Sequence, residues 1–226
     1  METIYNLLVY MPALVLTLVL MSMARAYVAD MLGDPTPRHL GLLTLNPTRH
    51  VDPVGTLAIP AMLALVGAPV FGWGKGFMLD GDNYRHPRAD AAVVAIVGPA
   101  VALLAAAIAA ALIGFSYDLV SGSSSGPLIE YCFRFLVALL GTGCLLALFN
   151  LLPIPGLDGG KVVEALLPRE TAVKFASLSQ YSLLILVALI VVMPMLSPQM
   201  DIIRQLLLPI ANAISGTLLW AAGVPL

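Results

Sequence analysis

The sequence predicts an all-α polytopic membrane protein, and three observations carry that expectation. Of the 226 residues, 60% are apolar and only 11% charged, whereas a soluble domain carries about 25% charged residues. Mean hydropathy is +0.96. Six windows (3–24, 53–74, 91–117, 135–157, 175–200 and 205–226) contain no Asp, Glu, Lys or Arg, and a helix of roughly 20 apolar residues crosses a bilayer. A soluble enzyme, a secreted disulfide scaffold and a disordered chain are excluded by the same figures. A net charge of −2 offers no basic footprint for nucleic acid. Membrane lipids are the expected surroundings.

Taken in order, the chain reads as one transmembrane domain, 1–226, of four to six spans. The first helix covers about 4–29. Its Ala24-Arg25-Ala26 imitates a signal-peptidase site, but nothing basic precedes it, and its apolar stretch exceeds the roughly 7–15 residues of a signal core. It reads as a retained helix. The polar stretch 30–52 has turn signals at Gly33-Asp34-Pro35 and Asn46-Pro47, with Leu40-Gly-Leu-Leu-Thr-Leu45 between them as a short strand. Residues 53–74 are apolar but broken by Pro53, Pro60 and Pro69, which suits a re-entrant segment or a short span. Helices follow at about 91–117, 128–152 and 175–197, and a terminal apolar segment, 202–223, either spans or lies against the bundle. Cys132 and Cys144, twelve residues apart on one helix, would stand about 18 Å apart along its axis, too far for a disulfide.

The basic residues suggest an orientation. With 53–74 re-entrant, Arg25, Arg38, Arg49, Lys75, Arg85, Arg88, Lys161, Arg169 and Lys174 all fall on one side, and the turn 118–127, which has no basic residue, falls on the other. The positive-inside rule prefers this arrangement, with the N-terminus outside.

Asp158 is the sharpest chemical signal, because an ionisable side chain at the edge of an apolar segment is costly. It lies in Asn150-Leu-Leu-Pro-Ile-Pro-Gly-Leu-Asp-Gly-Gly160, where Pro153 and Pro155 remove backbone donors and force the helix to open. Two readings stand: a carboxylate presented inward, or an N-cap for a helix starting at Gly159.

At these residues the chain resembles a known family. Phe149-Asn-Leu-Leu-Pro-Ile-Pro-Gly-Leu-Asp-Gly-Gly160 is similar to the LDG signature of the site-2 proteases, intramembrane zinc metalloproteases. Gly33-Asp-Pro-Thr-Pro37, Leu43-Thr-Leu-Asn-Pro47, His50-Val-Asp-Pro-Val-Gly-Thr-Leu57, Gly72-Trp73 with Lys75, and Gly98-Pro99 follow the order of the short bacterial branch. The resemblance covers roughly residues 20–165. It implies a site-2-protease-like helix bundle with a short β or re-entrant segment, multi-pass in a bacterial inner membrane.

The same resemblance exposes a departure. The family carries His-Glu-x-x-His just before the Gly-Asp-x-Thr-Pro block; its histidines bind zinc and its glutamate activates the bound water. Here those positions hold Met21, Ser22 and Arg25, and none of the three histidines, His39, His50 and His86, is followed by Glu. Ala102 stands where the family has Asn, and Gly76-Phe-Met-Leu79 replaces its Pro-Val-Pro-Val run. An arginine cannot offer a lone pair to a metal. Arg25 either pairs with Asp158, as a charge substitute for zinc, or snorkels to the interface while Asp158 caps a helix. Pairing requires the helices bearing the two residues to run in the same direction.

Other candidates weigh less. His50 with Asp52 could brace a loop or touch the old site. His86 reads as an interfacial polar residue, and Asp80-Gly-Asp-Asn83 as a turn. Ser22 has no base beside it in the sequence. Asn150, Pro153, Pro155 and Gly159 are candidates to line the site. The expected function is therefore that of a proteolytically inactive site-2 protease homologue, without a cofactor. It would act as a binding, regulatory or structural subunit with a membrane-protein partner or larger complex. The alternative is an active metalloprotease in which Asp158 and His50 hold zinc.

Overall fold

The computed structural model describes residues 2–65, 72–75, 83–121 and 126–225. Helix α1 (Glu2–Met31) ends on Gly33, whose φ of +111° lies in the left-handed region that glycine enters without a Cβ penalty. The Asp34 amide donates back to Ala29 O. Its buried carboxylate accepts Thr36 N at 2.9 Å and opens the short α2 (Thr36–His39). Arg38 then forks onto Asp30 at 3.1 and 2.7 Å, tying α2 back to α1.

The short strand expected at Leu40–Leu45 does not form, and no strand occurs among the described residues. Gly41, at φ +65°, closes α2, and Leu42 N donates to Pro37 O. Thr44 Oγ1 accepts Asn46 N, and the Asn46 side chain caps the 3-10 turn Pro47–Arg49. Local side-chain and turn hydrogen bonds thus occupy groups that a ladder would need.

The next segment folds back on itself. Asp52 Oδ1 accepts Val54 N and Gly55 N at 3.0 and 2.6 Å, starting a π-helical turn, Pro53–Ala58, that continues into α3 (Ile59–Leu65). The chain returns beside its own start: Trp73 N donates to Gly55 O at 3.1 Å and Lys75 N to His50 O at 2.6 Å. Gly55 has to be glycine, because the Trp73 indole occupies the place of a Cβ. The expected features at Gly76–Leu79 and Asp80–Asp82 lie outside the described residues.

Helices α4 (Pro87–Ser121) and α5 (Pro127–Asn150) pack with α1 as the core. Helix α4 is inside out by the standards of a soluble helix: Ala102, Ala106, Ala109 and Ala110 are buried, while Leu104, Ile108, Leu112 and Phe115 are exposed. Between membrane helices, small residues let backbones approach and large ones face lipid. A Cβ on Gly143 of α5 would stand 2.9 Å from Ala102 O, a measure of how close that crossing is.

Contacts at the two ends set the helix directions. Tyr131 Oη near the start of α5 donates to Leu8 O near the start of α1, whereas the far end of α1 meets the residues that follow α5. These two helices are parallel, with α4 antiparallel between them. After α5 come α6 (Asp158–Leu166), α7 (Arg169–Ser177), a 3-10 turn, α8 (Ser182–Val187), a π-helical stretch and α9 (Met193–Leu196). The helix expected at 175–197 is helical as far as Leu196, as a series of differently wound pieces, and ends on the extended Ser197. A π-helical stretch, Ile203–Leu207, leads into α10 (Leu208–Ala221), which lies against α4 and α5. Four stretches, Tyr5–Met31, Pro87–Tyr117, Pro127–Asn150 and Arg169–Leu196, are long and apolar enough to cross a membrane. The protein is an all-α polytopic membrane protein.

Candidate functional site

The site forms where α1, α4 and α6 converge. Arg25 lies on the last third of α1 and Asp158 on the first turn of α6. Arg25 Nη1 donates to both carboxylate oxygens of Asp158, at 2.9 Å to Oδ1 and 3.0 Å to Oδ2. The Asp158 side chain is 4% exposed and that of Arg25 25%. The sequence left pairing and snorkelling open; in the structure the two residues meet. The capping alternative is corrected as well, because α6 begins at Asp158 itself and has no side-chain cap. The carboxylate points at the guanidinium.

Glycines make this approach feasible. A Cβ on Gly98 of α4 would lie 3.1 Å from Arg25 Cδ and 3.3 Å from Asp158 Oδ2. A Cβ on Gly159 would run into Leu151 O, and one on Gly160 into Ile154 O. The first turn of α6 therefore tucks against the opened chain after α5, as the Pro153 and Pro155 pattern requires. At the other end of α6, Arg88 Nη2 donates to the Glu164, Ala165 and Leu167 carbonyls. This cation caps the C-terminus of the helix, where the macrodipole favours it.

The remaining candidates sort themselves by their partners. His50 and Ser22 are both buried. His50 Nδ1 lies 2.8 Å from Ser22 Oγ, and Nε2 lies 2.7 Å from Thr44 O. A carbonyl only accepts, so Nε2 carries the proton and Nδ1 accepts from the serine hydroxyl. Sequence reasoning missed this Ser22–His50 contact, since the residues are 28 apart and only the fold-back loop brings them together. Neither lines the cavity described below, and Asp52 is occupied as the cap of the π-helical turn. His50 and Asp52 brace the loop. Asn150 does line the cavity, donating from Nδ2 to Leu146 O at 2.8 Å. Pro153, Pro155 and Gly159 shape the backbone without lining it. His86 is exposed, and both cysteines are free.

Beside the pair opens a cavity of about 820 Å³. Its walls are apolar, with Leu18, Ile59, Met62, Leu186 and Ile190 among them, and its charged groups are Arg25, Lys75, Asp158 and Lys161. Burial pushes the Lys161 amine below its ordinary value, and the nearby Arg25 cation adds to the depression while Asp158 and Glu164 oppose it.

The donor set does not fit zinc. A hydrolytic zinc takes three protein ligands drawn from Cys, His and carboxylates, and no group of three such side chains occurs among the described residues. Asp158 has both oxygens engaged by Arg25, the Met21 thioether is a soft ligand, and His50 has both nitrogens in use.

Residues 117–193 match the family described as Peptidase family M50. The chain is 33% identical over 218 residues to "Putative zinc metalloprotease YwhC" of Bacillus subtilis, covering 90% of this chain and 94% of that protein. It is 29% identical over 176 residues to "Putative zinc metalloprotease Rip2" of Mycolicibacterium smegmatis, covering 78% of this chain and 64% of the relative. A Mycobacterium tuberculosis protein of the same name is 30% identical over 178 residues, 76% of this chain and 62% of its own length. No solved structure matches. The chain belongs to peptidase family M50, the site-2 proteases.

Proposed function

We propose that this member of the family is proteolytically inactive and works by binding, as a regulatory or structural subunit, multi-pass in a bacterial inner membrane. One observation carries the reading. Where the family resemblance places the second zinc-binding histidine, the chain has Arg25, and its Nη1 holds both oxygens of Asp158. A metal at this corner would have to displace a permanently charged guanidinium from a carboxylate that is 3% exposed. The glutamate's position holds Ser22, a hydroxyl that is engaged by His50 and is itself no base.

The names of the relatives favour a second reading, an active zinc enzyme built on Asp158 and His50. That enzyme would require Arg25 to release Asp158, and His50 to release both Ser22 and Thr44. Elemental analysis of detergent-purified protein, with Asp158→Ala as control, decides between them. We expect a zinc content far below one atom per chain and unchanged in the variant. About one zinc per chain, lost in Asp158→Ala, would overturn the proposal in favour of the second reading, which protease assays with His50 substitutions would then test.

A further inference from the structure

We infer that the cavity beside Arg25 and Asp158 is a binding site for an anionic phospholipid, its phosphate on the Arg25–Lys161 edge and an acyl chain along the apolar walls. The inference rests on the reading that no metal occupies this corner. Charge supplies the first argument. Among the described residues, three cations, Arg25, Lys75 and Lys161, line the cavity against one anion, Asp158, so the charge they bring to its apolar walls is net positive. Arg25 reaches Asp158 through Nη1 alone, and its Nε is buried with no partner. Lys161, half-buried and in no ion pair among the described residues, gains a counter-ion when an anion enters. One acidic headgroup would give Lys161 its counter-ion and meet the exposed part of the Arg25 side chain, while Nε stays packed against Gly98.

Size supplies the second. At about 820 Å³ the cavity lies within the roughly 300–1,000 Å³ of small-molecule sites. The walls are contributed by α3, α8 and the π-helical stretch after it (Ile59, Met62, Leu183, Leu186, Ile190), and all these side chains are aliphatic or thioether.

Trp73 lines the cavity, and the only other tryptophan, Trp220, is 72% exposed. The Trp220→Phe protein therefore reports on the cavity by fluorescence. It would be reconstituted in phosphatidylcholine vesicles containing either phosphatidylglycerol or phosphatidylcholine with brominated, quenching acyl chains, and its zinc measured in the same preparation. We expect brominated phosphatidylglycerol to quench Trp73 with a relative association constant about tenfold above that of brominated phosphatidylcholine. Lys161→Gln should abolish most of that preference and Lys161→Arg retain it. Asp158→Asn, which frees Arg25, should increase it. A Trp73→Phe protein, reporting from Trp220, should show no preference. Equal quenching by the two lipids, a preference that survives Lys161→Gln, or relief of quenching by millimolar inorganic phosphate alone would overturn the inference. About one zinc per chain would instead overturn the reading beneath it.

Discussion

Replacing Arg25 with methionine removes one half of a nearly dry ion pair, and the cost follows from burial. Stripping one partner from a fully buried pair costs about 3–5 kcal/mol because the other charge is left uncompensated. An exposed pair is worth about 0–1 kcal/mol. Here the carboxylate is 4% exposed and the guanidinium side chain 25%, so the penalty is carried mainly by Asp158. Arg25→Met should therefore destabilise the protein by about 2–3 kcal/mol. Asp158→Leu alone strands the arginine, which reaches water more easily, at about 1–2 kcal/mol. The double variant leaves no charge unpaired, so it should be less destabilised than Arg25→Met alone, with a coupling energy near 2 kcal/mol. Unfolding by graded SDS in mild detergent, followed by the helical circular dichroism signal, supplies all four corners of the cycle. Additivity, with coupling below about 0.5 kcal/mol, would refute the claim that these two charges hold each other inside the protein.

Three further outcomes are expected. Gly159→Ala should cost at least about 1–3 kcal/mol or abolish folding, since its methyl would meet the Leu151 carbonyl, which is backbone and cannot turn aside; the SDS transition checks this. Ser22→Ala should cost about 1–3 kcal/mol by leaving His50 Nδ1 buried without a donor, with the zinc content of the preparation unaltered. For Lys161, burial lowers the folded amine below 10.5, so the unfolded chain binds more protons between the lowered value and 10.5. Stability should then rise as pH climbs through that window, and the penalty on the cation should be fully present below it. Lys161→Met should remove that part of the slope in SDS titrations run from about pH 7 upward.

Much of the fold was legible because lipid imposes a coarse rule. Charge-free windows longer than a bilayer core have few alternatives to helix, so Arg25 and Asp90 locate α1 and α4, while α5 is bounded by the turn at 121–127 and the break at Pro153. The failures are local. Leu40–Leu45 is a short apolar run between two turn signals, which suggests a strand, but Gly41 and Asn46 consume its hydrogen-bonding groups in turns, and a strand has no stability without a neighbour to pair with. The Arg25–Asp158 contact was readable as chemistry, a cation and an anion with no other good place to go, although only the parallel course of α1 and α5 makes it reachable. The Ser22–His50 contact left no pattern in the sequence, because it depends on the path of a loop rather than on any periodicity. Lys161 likewise looked like an ordinary connector lysine until the cavity appeared beside it.

The stretch Arg169–Leu196 differs from the other three candidate spans in one respect: none of the residues in its most apolar window is buried. In water such a helix would be driven onto the bundle, but lipid tails are as apolar as its own leucines and exert no such force. Its hold on the bundle rests on a few side chains, with Leu186 and Ile190 packed against the core and Ser182 lying over Gly156. The cavity wall that Leu183, Leu186 and Ile190 supply is therefore the most loosely held of its sides. Backbone amide exchange should be fastest there when the cavity is empty and slow first when a molecule bridges the gap.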